Sequence, residues 1–93
     1  MNDNNRPPVF IIVGQVRKES SGVSEQVHVL LTAPDDDTAV RNALEALARE
    51  GYAEADLDQI GEIFDEPEEE PHISAYQGAL EGEVSIVTFT DVR

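Results

Sequence analysis

The stretch VFIIVGQV, Val9 to Val16, is a near-continuous apolar and β-branched run. A run of that kind predicts a strand covered on both faces or lying centrally in a sheet. RKESSG follows as a turn, and the pattern from Val23 to Thr32 then alternates. Val23, Glu25, Val27, Val29 and Leu31 fall on one face, and Ser24, Gln26, His28, Leu30 and Thr32 on the other. The two runs together predict a β-hairpin.

APDDDTAVRNALEALAREGY changes period, with Ala39, Val40, Ala43, Leu44 and Leu47 forming one apolar stripe at helical spacing. Pro34 suits the first helical turn, and Asp35, Asp36 and Asp37 lie where free N–H groups and the positive end of the dipole favour carboxylates. Gly51 is placed to end the helix in a left-handed conformation, with Tyr52 supplying the apolar contact that follows such an end. The Asp triplet is therefore explained without a ligand.

ADLDQIGEIF, Ala55 to Phe64, fits a helix through Leu57, Ile60 and Phe64 and a strand through Ile60, Glu62 and Phe64. Gly61 and the β-branched Ile60 and Ile63 favour the strand. HISAYQGALEG predicts a short second helix, with Ile73, Tyr76 and Leu80 on one face and an end at Gly82. EVSIVTFTDV is rich in strand formers and predicts a closing strand.

The order is β-β-α-β-α-β, and the expected fold class is α+β: a two-layer sandwich of one four-stranded sheet with two helices on one face. This resembles the ferredoxin-like group in architecture only, because that group's usual element order differs. Residues 1–8 read as a disordered tail, held extended by Pro7 and Pro8, and residues 9–93 as a single domain.

Charge refines the picture. From Met1 to Pro34 three basic residues balance three acids, whereas from Asp35 to Arg93 three basic residues face seventeen acids, which accounts for the whole net charge of −14. Between Glu50 and Asp91 there is no Lys or Arg. A surface this negative repels phosphates and anionic lipid, so direct nucleic-acid or membrane binding is not expected, and a charge-selected partner should be basic. Acid-rich, lysine-poor usage also suits a high-salt cytoplasm, in which case the acidity is an adaptation and not a site. The chain has no cysteine, which excludes disulfides and thiolate metal sites. The apolar run at Val9 to Val13 is too short for a leader or a span, so a cytoplasmic protein is the expectation.

DEPEEEP, Asp65 to Pro71, places five carboxylates between and beside two prolines. DLDQIGEIFDEP, Asp56 to Pro67, matches a calcium-binding loop at its first, third and sixth positions, but has Ile60 at the fifth and Pro67 where a bidentate Glu is required. No metal and no cofactor is therefore assigned. His28 and His72 are acid/base candidates with no nucleophile pattern nearby, His72 beside Glu68, Glu69 and Glu70 also suits a weak pH sensor, and neither a G-x-S-x-G nor a phosphate-binding loop is present. Arg17 and Lys18 read as two solvated charges in a turn.

These features point away from an enzyme and towards a small interaction or regulatory domain. Asp65, Glu66, Glu68, Glu69 and Glu70 are the candidate partner-binding residues, with a basic surface on another protein as the partner. One alternative is a nucleic-acid mimic of the antitoxin or phage-encoded kind, with acids spread along a rigid face. The other is a ligand-binding or enzymatic homo-oligomer, with His28 or Tyr76 in a helix–sheet or subunit-interface site and the first strand as a pairing edge. The sequence leaves open whether the chain forms a homodimer.

Overall fold

The computed structural model describes residues 8–18, 22 and 24–89. Residues 1–7 of the tail expected over residues 1–8, Glu19 to Ser21 of the expected turn, Val23 at the head of the expected second strand, and the last residues expected of the closing strand lie outside the described residues. Four strands and two helices follow in the order β1 (Val9–Lys18), β2 (Ser24–Thr32), α1 (Asp36–Arg49), β3 (Tyr52–Ile63), α2 (His72–Leu80) and β4 (Ser85–Phe89). The strands form one antiparallel sheet in the order β3-β1-β2-β4. The α+β class, the four-stranded sheet and the element order are those the residue pattern predicts.

The apolar run of β1 takes a central place, paired with β2 from Val9↔Thr32 to Arg17↔Ser24 and with β3 from Val9↔Ile63 to Lys18↔Tyr52. The β1–β3 register shifts beside Gly14. A Cβ there would lie 2.7 Å from Leu57 Cα and closer still to the Asp56 carbonyl oxygen, so only glycine permits the approach of the two backbones. β1 also runs further than its apolar residues alone suggest. Arg17 and Lys18, expected in the turn, are its last two residues: Arg17 pairs with Glu54 across the sheet, and the Lys18 ammonium lies 5.1 Å from the centre of the Tyr52 ring.

The helices do not share a face, which corrects the two-layer arrangement. Ala39, Ala43 and Leu47 of α1 bury against Phe10, Ile12 and Val16 of β1 and Val27, Val29 and Leu31 of β2. Ala75 and Ala79 of α2 bury against Val9 and Leu30, with Ile11, Ile63, Tyr76 and Val87 around them. Alternate residues of β1 and β2 thus meet different helices, so α1 covers one face of the sheet and α2 the other. The physical reason lies in β1 and β2: with both helices on one face, Val9, Ile11 and Leu30 would stay in water, forfeiting about 1.5–3 kcal/mol for a side chain as fully buried as Leu30.

The start of α1 lies two positions beyond Pro34, the residue expected to open it. Asp35 is the N-cap, its Oδ1 accepting from the Thr38 backbone N–H at 2.8 Å, and Pro34 precedes the helix instead of opening it. Asp36 and Asp37 occupy the first turn. At the other end Gly51 has φ +97°, the left-handed conformation its position predicts, and Tyr52 packs against the α1 core. Leu44, grouped with the buried stripe on sequence, is 41% exposed. No helix among the described residues is long and apolar enough to cross a membrane.

Candidate partner-binding edge and histidine pair

β3 has 12 residues and is bonded to β1 on one side; among the described residues no strand pairs with its other side. Its carboxylates Glu54, Asp56, Asp58 and Glu62 are all exposed. Glu54 and Asp56 pair in register with Arg17 and Gln15 and so share the face of α2, whereas Glu62 pairs with Phe10 and shares the face of α1. The acids therefore border the edge from both faces and do not form a single rail. The partial calcium motif is laid out along this strand from Asp56 to Ile63, extended instead of wrapped around a point. Among the described residues no group of three or more His, Asp or Glu side chains is arranged to hold a metal ion.

Beyond β3 the chain enters the acid-rich connection through Phe64, which is 82% exposed. Asp65, Glu66, Glu68, Glu69 and Glu70 are all exposed as well. Two of them also serve α2: Glu66 Oε2 accepts from Gln77 Nε2 at 2.9 Å, and Glu70 accepts from the Ser74 backbone N–H at 3.1 Å and the Ser74 hydroxyl at 3.0 Å. A carboxylate here also answers the free N–H groups and positive dipole of the first turn. Asp65, Glu68 and Glu69 remain the outward-facing members of the set.

The structure brings together two residues that the sequence treats separately. His28, midway along β2, and His72, the first residue of α2, approach with Nδ1 and Nε2 2.9 Å apart, both half-buried. At that distance one ring nitrogen donates a hydrogen and the other accepts it. Phe89 of β4 packs its ring 4.8 Å from His28, edge to face, and 6.0 Å from His72, near parallel. Burial, with the neighbouring His72 charge adding to it, lowers the His28 pKa below the ordinary 6.5. Among the described residues the ring contacts of the pair are with each other and with Phe89. Forty-four residues separate the two histidines, and no motif spacing links them.

Tyr76 of α2 packs against the same small core as Ala75 and Ala79. An open groove of about 430 Å³ lies between α1 and the start of β4, lined by Asn42, Glu45, Arg49, Glu50, Val84 and Ile86 among others. The first strand cannot serve as a pairing edge, because β2 and β3 occupy both of its sides. Self-association through that strand is therefore closed off; among the described strands the outer ones are β3 and β4. Comparison of the chain with protein-family models, with curated proteins and with solved structures gave no match.

Proposed function

We propose that the protein is a small non-catalytic interaction domain that binds a basic, extended segment of a protein partner along the outer edge of β3. The observation that carries this reading is the edge itself: a long strand whose outer side pairs with no strand among the described residues, bordered by Asp56, Asp58 and Glu62, and continued by the exposed ring of Phe64. Open strand edges offer unpaired backbone donors and acceptors to an added strand. Lysine or arginine side chains of that strand face the β3 carboxylates, and an apolar residue covers Phe64, since a bare aromatic makes a natural anchor. Asp65, Glu68 and Glu69 extend the negative field past the end of the strand, and Glu66 and Glu70 add to it while tied to α2. A second copy of β3 is a poor occupant, because its own carboxylates would oppose these.

Exposed ion pairs contribute only about 0–1 kcal/mol each, so main-chain bonding and Phe64 carry the affinity. Charge sets the choice of partner, the rate of encounter and the sensitivity to salt. The test is a synthetic peptide of alternating lysine and valine with one leucine, titrated into isotopically labelled protein at several ionic strengths. The reading predicts amide shifts along β3, weaker association as salt rises, and further weakening in Phe64→Ala and in the combined Asp56→Asn, Asp58→Asn, Glu62→Gln variant. Neutralising Glu66, Glu68, Glu69 and Glu70 gives a smaller loss. Binding that ignores salt, or that shifts only residues remote from β3, contradicts it.

A further inference from the structure

The histidine pair has a chemistry of its own, independent of the β3 edge. A contact of 2.9 Å between Nδ1 of His28 and Nε2 of His72 holds only while one of the two facing nitrogens lacks a hydrogen. The pair is therefore stable with both rings neutral or with a single shared charge. When both rings are cationic, two N–H groups and two like charges meet at one place, and the bond is replaced by repulsion.

The surroundings determine what gives way. His28 stands on β2, where its cross-strand neighbours are Val13 of β1 and Val87 of β4, so neither strand brings a charge opposite it. From β4 the further contact is the Phe89 ring, and from α2 it is His72, with Tyr76 one turn on. From the connection, Glu69 and Glu70 precede His72, and the Glu70 carboxylate is already engaged by Ser74. His28 is fixed in the sheet, whereas His72 sits at the exposed start of a nine-residue helix with only Ala75 and Ala79 deeply buried. Separation of the rings therefore moves the helix and not the strand.

We propose that His28 and His72 form a proton-operated clasp, holding the first turn of α2 and the connection before it against the sheet near neutral pH and releasing them on acidification. Because that connection carries Asp65, Glu68 and Glu69, release changes how the acidic loop is presented. Histidine is the side chain whose charge changes in this range; the first proton is shared across the contact, and the second, which the first charge opposes, separates the rings.

The experiment follows the ring nitrogens and backbone amides by NMR from about pH 8 to about pH 5, in the wild type, in His28→Asn and in His72→Gln. Asparagine reaches the position of Nδ1 and glutamine that of Nε2, and neither titrates. The clasp predicts one protonated and one bare nitrogen at the contact at high pH. On acidification the amides of His72 to Gln77 shift together with the His28 ring while those of α1 stay still, and this joint transition is absent from both variants. Two rings that titrate independently without moving α2, or an α2 transition unchanged in both variants, overturns the proposal. If one variant fails to fold, the other still decides, since each removes one titrating partner.

Discussion

The sheet holds its two helices by different means. Beneath α1 a cluster of ten buried apolar residues joins the helix to β1 and β2, and its start is capped by Asp35. Beneath α2 the buried cluster has four members, two of them alanines, and the helix start is secured by polar contacts: Glu70 with Ser74, Glu66 with Gln77, and His72 with His28. Apolar burial barely responds to pH or salt in the mild range, whereas hydrogen bonds among titratable side chains do. One face is therefore the scaffold, and the other is the adjustable unit, drawn from the low-stability end of the fold where local opening is expected.

The largest effect should come from breaking the scaffold side. Leu47→Ala removes a side chain that is 1% exposed and should cost about 2–5 kcal/mol, seen as a lower denaturant midpoint for the whole domain. On the other face Ala79→Gly should cost about 1 kcal/mol through helix propensity, with its loss of protection confined to α2. A domain-wide loss of similar size from both substitutions would erase the distinction between the faces.

Acidification sharpens it. His28 binds its proton less readily in the folded protein than at its ordinary value of 6.5, so the unfolded chain takes up the proton first as pH falls. The stability held by the neutral ring is complete above about pH 6.5 and declines as pH falls from there through the lowered folded value. Asp35 acts in a separate window: the Thr38 N–H holds its pKa below the ordinary 3.8, and its stabilisation is complete above 3.8 and is lost as pH falls from there through the lowered value. Denaturant titrations at intervals of pH should show a decline beginning near the histidine range in the wild type and its reduction in His28→Asn. The smallest effect is Asp35→Ala, which should loosen only the first turn of α1, read as faster amide exchange there with no change in α2.

The same contrast separates what the residues disclose from what they conceal. α1 is legible almost to the residue because its signals are local: an acidic start, an alanine and leucine stripe, and a glycine that must take positive φ. β3 is legible as a strand through Ile60, Gly61 and Ile63, although it starts earlier, at Tyr52. The placement of α2 was encoded less directly, since only the two-sided apolarity of β1, where Val9 and Ile11 alternate with Phe10 and Ile12, calls for cover on both faces. DEPEEEP reads correctly as a connection, but the work of Glu66 and Glu70 depends on which side of α2 faces it. The histidine contact is the least legible feature, because it requires the register of β2 and the face of α2 together.

Site-resolved amide hydrogen exchange on the wild-type protein, at neutral pH and again near pH 5, tests the difference between the two faces most directly. The account predicts that α2 opens more readily than α1 at neutral pH, and that its exchange relative to α1 rises on acidification, after correction for the intrinsic effect of pH. Equal protection of the two helices at both pH values would contradict it.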